Sequence, residues 1–260
     1  MMLRRAALPV LLPASLMLLV ACTDDPADPG APAPTTTSAS AEPATTTAAP
    51  TTTTSGEPGT TSTGLPGEPA MFGPASGDEL AVIGVAHDET TAVRAVPGED
   101  GSTVTALAPD AMGLLATGEA RSLDDGTTWF EVDAPGGTGW ISARDVAYLG
   151  VTDDTTAAVI GRIGRVSGSS VTEVGEAVAD DLASDEPPSR IVQSGPATSG
   201  DLHEVQLDVI GLGDDSVLGY RIRVFGMDDE GPDASGEVVL RTVEQTTICA
   251  RGVTSDGLCV

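Results

Sequence analysis

Apolar positions in this chain fall into three regimes. Residues 8–20 are apolar almost throughout, broken only by Pro9, Pro13 and Ser15. From Thr23 to about Gly77 the chain is Thr, Pro, Ala, Ser and Gly with scattered acids, and offers almost nothing to bury. From about Asp78 short apolar runs return, at 80–85, 92–98, 102–107, 113–118, 128–132, 139–142 and 148–149. Turn sequences separate them, among them Pro97-Gly98-Glu99-Asp100-Gly101, Asp124-Asp125-Gly126 and Pro135-Gly136-Gly137. Short runs punctuated in this way predict a small antiparallel β domain over 78–150.

Beyond residue 151 the period changes twice. Val171, Val174, Val178 and Leu182 recur at helical spacing, which places one apolar stripe on a helix. Ser170-Val171-Thr172-Glu173 supplies its start: the Ser hydroxyl accepts from the backbone three residues on, and the Glu reaches back. Pro187-Pro188 is expected to stop it. Val159, Ile160, Ile163 and Val166 also fit helical spacing, although Gly161 and Gly164 weaken that helix. Residues 204–209 and 220–224 then alternate polar and apolar around an Asp214-Asp215-Ser216 turn, and 237–248 supplies another strand. The expected fold is therefore mainly β with α+β character. A small β-barrel is followed, over 151–260, by one or two helices laid on an antiparallel meander.

Composition narrows the partners. The chain has 260 residues and a formal charge of −27, with 12 Lys+Arg against 39 Asp+Glu. No Lys and no Asn occur, a pattern that fits a high-GC genome. Residues 1–21 hold two of the Arg and no acid, so residues 22–260 carry 10 Arg against 39 acids, or −29. Nucleic acid and anionic headgroups repel such a chain, and no nucleic-acid partner is expected. Residues 23–77 cannot offset the entropy of ordering and are expected to form a disordered tether. A tether of roughly 55 residues spans about 40 Å as a flexible coil and up to about 170 Å if fully polyproline-like. Its S/T-rich, Pro-containing composition also suits O-glycosylation.

Residues 1–21 have the parts of an export signal. Arg4 and Arg5 precede the apolar run, which is too short and too proline-broken for a span of about 20 residues. It ends in Leu19-Val20-Ala21-Cys22, which resembles the bacterial lipobox. The resemblance implies cleavage before Cys22 and acylation of its thiol, hence a protein held by lipid on the extracytoplasmic face of the cell membrane. Two or three acyl chains, at about 0.8 kcal/mol per buried CH₂, hold it firmly.

Within 78–150, Val93-Arg94-Ala95-Val96-Pro97-Gly98, Trp129-Phe130-Glu131-Val132, Gly136-Gly137-Thr138-Gly139-Trp140-Ile141 and Tyr148-Leu149 occur in order. They resemble the V-R-x-x-P-G, W-x-x-V, G-x-x-G-W-[IV] and Y-L motifs of bacterial SH3-like domains. Ala92 replaces that family's usual Asn, and 108–113 is atypical. The resemblance implies a non-catalytic module that binds cell-wall peptidoglycan peptide or an envelope protein. Trp129 and Trp140 each read two ways, as packing side chains or with one ring lining a peptide groove. His87 and Asp88 fall in the loop after the first strand, where such grooves are built, and read either as solvated loop residues or as ligand contacts. Arg94 either braces its turn or reads a carboxylate.

Cys249 and Cys259, with nine residues between them, are the remaining thiols once Cys22 is lipidated, and outside the membrane they are expected to pair. The two His, His87 and His203, lie far apart in sequence. A His-rich zinc site is therefore not expected, and the absence of Lys excludes a phosphate-loop Lys or a Ser-Lys mechanism. Asp228-Asp229-Glu230-Gly231-Pro232-Asp233 misses the helix–loop–helix calcium spacing. No enzyme, cofactor or metal is expected. The sequence points to a membrane-anchored binding lipoprotein. The alternative is an accessory or inhibitory subunit that docks onto an envelope enzyme through 151–260.

Overall fold

The computed structural model describes residues 64–200, 202–230 and 235–260. The export signal, Cys22 and most of the expected tether lie outside the described residues. The described residues form one compact unit. Among the described residues, no helix is long and apolar enough to cross a membrane.

Among the described residues the chain is mainly β, with two helices. Its elements are β1 (Glu68–Pro69), β2 (Glu79–Val82), β3 (Thr91–Arg94), β4 (Thr103–Leu107), β5 (Leu114–Ser122), β6 (Thr128–Ala134), β7 (Gly137–Ser142) and β8 (Val146–Asp154). There follow α1 (Thr156–Ile163), β9 (Ser167–Gly168), α2 (Val171–Leu182), β10 (Arg190–Gln193), β11 (His203–Ile210), β12 (Val217–Asp228) and β13 (Val238–Cys249). Hydrogen bonding runs along one antiparallel path, β10-β11-β12-β13-β8-β2-β5-β6-β7-β3-β4, with β1 on β5 and β9 on β13. The path is open, with β10 at one end and β4 at the other.

Three features depart from the sequence pattern. Residues 64–77, tether-like in composition, include β1, which pairs Glu68 with Ser122 and Pro69 with Arg121. The 150/151 position, a domain limit in the sequence pattern, falls inside β8. That strand meets β2 at Val146 and Ala147, then β13 from Tyr148 to Asp154. A four-residue strand, β10, follows the Pro187-Pro188 pair and carries no alternation long enough to announce it.

Two main cores flank this shared strand. In the first half, Leu80, Val82, Val93, Leu114, Val132 and Ile141 pack together, with Cys249 and Tyr148 joining from the far side. In the second, one face of β11–β13 presents Val205, Leu207, Ile222, Val224, Leu240 and Val243 to the helices. Helix α2 lays Val171, Val174 and Val178 on that face, the stripe its spacing predicts. Its start is capped by Ser170 Oγ, which accepts from Glu173 N at 3.3 Å. The Glu173 carboxylate reaches back one residue further than a capping box does, accepting from Ser169 N at 2.8 Å. The helix ends at Leu182, well before the prolines, because Ala183 is already extended (ψ 151°). Ile83, Ala147 and Ile248 form a small third cluster where the halves meet.

A buried ion pair closes the seam. Arg221 on β12 and Asp208 on β11 lie on the sheet face opposite the helices, yet are 7% and 0% exposed. Arg221 donates from Nε to Asp208 Oδ1 at 2.8 Å and from Nη2 to Oδ2 at 2.9 Å. The same Nη2 donates across the seam to Val82 O at 2.7 Å. Asp208 also accepts from Gly84 N at 2.8 Å and from the Ser194 hydroxyl at 3.1 Å. Gly84 has φ +63°, and a side chain there would run into Arg190 and Ile210. Each buried charge is thus paired and hydrogen-bonded, which burial of an ion demands.

Two glycines test the packing from opposite directions. Gly161 on α1 faces open space, whereas a Cβ at Gly175 on α2 would sit 2.6 Å from Val205 Cγ1 and 2.8 Å from Leu207 Cδ1. Gly161→Ala is expected to stabilise by up to about 1 kcal/mol through helix propensity. Gly175→Ala is expected to destabilise by about 1–3 kcal/mol, because overpacking outweighs the same propensity gain. Urea unfolding of the two variants reads both signs.

Candidate functional site

The residues of the four motifs are distributed over β3, β6, β7 and β8 and the turns beside them. Arg94, at the end of β3, donates from Nη1 to Gly101 O at 3.0 Å and from Nη2 to Glu99 at 3.3 Å. It therefore clasps the turn that Pro97-Gly98 initiates. Trp129 on β6 is 3% exposed, and its Nε1–H donates to Thr127 Oγ1 at 3.1 Å. Trp140 on β7 is 2% exposed and stands opposite Arg94 in register. His87 and Asp88 are exposed in the turn after β2. There the His87 backbone N–H reaches β10, donating to Gln193 O at 2.9 Å.

Arg94 and Trp129 line one cavity of about 200 Å³, together with Thr90, Glu99, Ser142 and Asp145. His87, Asp88 and Trp140 are not among its lining residues. Asp145 is the half-buried acid of this groove and accepts from the Thr91 hydroxyl at 2.9 Å. Burial pushes its carboxyl above the ordinary aspartate value. The Thr91 hydrogen bond and the charges of Arg144 and Arg190 oppose that rise, while Glu99 adds to it.

A second concavity, about 380 Å³, opens on the polar face of β11–β13 and β8. Gln206, Arg223 and Glu244 line its floor, with Leu149 from β8 and Asp110 and Met112 from the loop before β5. That loop holds the atypical segment 108–113. It is tied down by Val82 N donating to Ala111 O at 2.8 Å. Arg223 pairs with Glu204 at 3.1 Å and Glu244 at 3.8 Å, so the floor's charges are matched among themselves.

These cleft residues did not stand out in the sequence, because each occupies an ordinary polar position of an alternating strand. The usable signal was the coincidence of two faces. Helices cover only one side of the sheet, so polar positions in adjacent strands must line the other. The cleft can hold a polar ligand through amide, hydroxyl and guanidinium groups, and neither His nor Cys lines it. His203 instead bonds Asp228 at 2.9 Å. Among the described residues, no group of three or more His, Cys, Asp or Glu is placed to hold a metal ion. Comparison of the chain with protein families, curated proteins and solved structures finds no match.

Arg221 of the buried pair lines the second concavity. Arg221→Met strands a carboxylate with no cation in the interior and is expected to cost about 3–5 kcal/mol in urea unfolding. A loss below about 1 kcal/mol would show the pair to be dispensable. Asp145 gives a pH signature of known sign. Its folded-state carboxyl titrates above the unfolded one, so ionisation opposes folding and protonation favours it. As pH falls from neutral toward the ordinary aspartate value of 3.8, the wild type should gain stability relative to Asp145→Asn. Unfolding midpoints near neutral pH and near that value measure the difference.

Proposed function

We propose that the chain is a membrane-anchored extracytoplasmic binding lipoprotein whose SH3-like half binds cell-wall peptide or an envelope protein. Lipidation at Cys22 supplies the anchor and the Thr/Pro-rich segment the reach. One observation carries the binding reading. Arg94 and Trp129 come from two separate motifs of the SH3-like pattern, and they line a single groove. The antiparallel run β2-β5-β6-β7-β3-β4, an open path, supports the small β domain that this reading needs. Cys249 and Cys259 form a disulfide with Cα atoms 5.2 Å apart, which suits an oxidising, extracytoplasmic setting.

A second reading is an accessory or inhibitory subunit docking onto an envelope enzyme, and the exposed apolar surface that favours it lies mostly before residue 151, not in the 151–260 segment expected to dock. Met71 and Phe72 are 86% and 82% exposed. They border a cavity of about 450 Å³ with Pro74, Phe130, Tyr148 and Ala250. Adjacent exposed apolar side chains of this size are a common feature of protein contacts.

Retention on purified wall material separates the two. The exported chain is expected to be retained, and Thr90→Trp to reduce retention at least tenfold. Thr90 is an exposed groove residue outside the core, so its replacement obstructs the groove and leaves the packing intact, as a thermal melt verifies. Absence of retention, with one dominant protein cross-linked in cells, would favour the accessory-subunit reading. Intact-mass analysis of the native protein is expected to show acyl chains on Cys22.

A further inference from the structure

Arginine is scarce in this chain, and most of it is committed. All ten arginines beyond residue 21 fall among the described residues. Arg94, Arg162, Arg221, Arg223 and Arg251 each meet a carboxylate. Arg144 and Arg190, like Arg165 and Arg241, form no ion pair among the described residues, despite 39 acidic residues in the chain. Arg144 is exposed, in the turn between β7 and β8, and makes neither ion pair nor side-chain hydrogen bond among the described residues. Arg190, the first residue of β10, donates from one nitrogen to Gly84 O at 2.9 Å and makes no ion pair among the described residues, although its charge, like that of Arg144, acts on Asp145.

These two side chains, about 46 positions apart in sequence, line the same cavity of about 580 Å³. That volume lies within the ~300–1,000 Å³ of small-ligand pockets. Ala143, Ile210 and Leu218 make the rest of its wall apolar, and Asp145 is the one acid. Two guanidiniums against one carboxylate leave a local excess of positive charge inside a strongly acidic molecule. Asp145 already accepts a hydrogen bond from Thr91, so part of its acceptor capacity is used within the protein. Guanidinium groups match planar carboxylates in charge and geometry, and the aliphatic walls favour a hydrocarbon flank over a bare inorganic anion. Asp145 also lines the Arg94–Trp129 groove, so the two cavities adjoin.

We propose that the Arg144–Arg190 cavity holds the terminal carboxylate of a short aliphatic peptide whose preceding residues lie toward the Arg94–Trp129 groove. This rests on the binding reading above and names the end of the ligand that is recognised.

The probe is N-acetyl-alanyl-alanine, compared with its C-terminal amide, titrated against the exported chain and followed by amide NMR shifts. The wild type is expected to bind the acid at least tenfold more tightly than the amide. Shifts should centre on 143–145, 190 and 210. Arg144→Gln is expected to abolish the preference, and Arg144→Lys to keep part of it. Because Arg144 is exposed and unpaired among the described residues, neither variant should change the melting temperature. Equal affinity for acid and amide, no binding of either at millimolar concentration, or a preference untouched by Arg144→Gln would overturn the proposal. The Thr90→Trp variant keeps the two claims apart. Wall retention sensitive to Thr90→Trp but indifferent to Arg144→Gln removes the carboxylate site alone. Acid preference without any wall retention removes the wall-binding reading alone.

Discussion

A carboxylate with no access to water sits at the centre of this molecule, and the fold around it is arranged so that it never lacks a cation. Asp208 comes from the second half of the chain, but its environment is completed by the first, through the Gly84 amide. Arg221 returns the tie by donating to the Val82 carbonyl. Pulling the halves apart would strip these contacts from a charge that water had not yet reached, at a cost set by desolvation. The apolar cluster of Ile83, Ala147 and Ile248 lies beside it and excludes solvent from the same seam. Polar and apolar terms therefore act together, the one making separation costly and the other keeping the interior dry.

Local pattern was legible wherever local forces decide. Ser170 and the Val171, Val174, Val178, Leu182 stripe locate α2 from its first residue to its last, because capping and amphipathic spacing are short-range. The alternation of 204–209 and 220–224 locates β11 and β12, with each strand extending a few residues further in the structure. Pairing was not legible. Nothing near Tyr148 and Leu149 announces that β8 continues to Asp154 and finds β13, since that partner arrives about 94 residues later, where Thr152 and Thr246 meet. β10 was invisible for a different reason: four residues after a proline pair carry too little periodicity.

The candidate sites divide along the same line. Arg94 and Trp129 were legible as members of motifs, and their convergence on one groove follows from the register of β3, β6 and β7. Arg144, Arg190, Gln206 and Glu244 carried no mark, because a polar residue at a strand edge or in a turn resembles any solvated position. Asp208 and Arg221 show how far that resemblance misleads. Each occupies the polar phase of an alternating strand, the phase expected to face water, and each is buried because a second layer of chain covers that face. Burial of a polar phase is a property of the whole sheet, so it cannot be deduced from either strand alone.

The continuity of β8 bears on how the chain reaches this state. Its early residues find β2 in the stretch already emerged, but its later residues expose an open ladder until β13 is made. Closing so wide a loop is entropically slow, and an unsatisfied strand edge invites pairing with the wrong neighbour meanwhile. Assembly of this protein is thus governed by its last long strand: until that segment arrives, the first half carries an adhesive rim with nothing to bind but strangers.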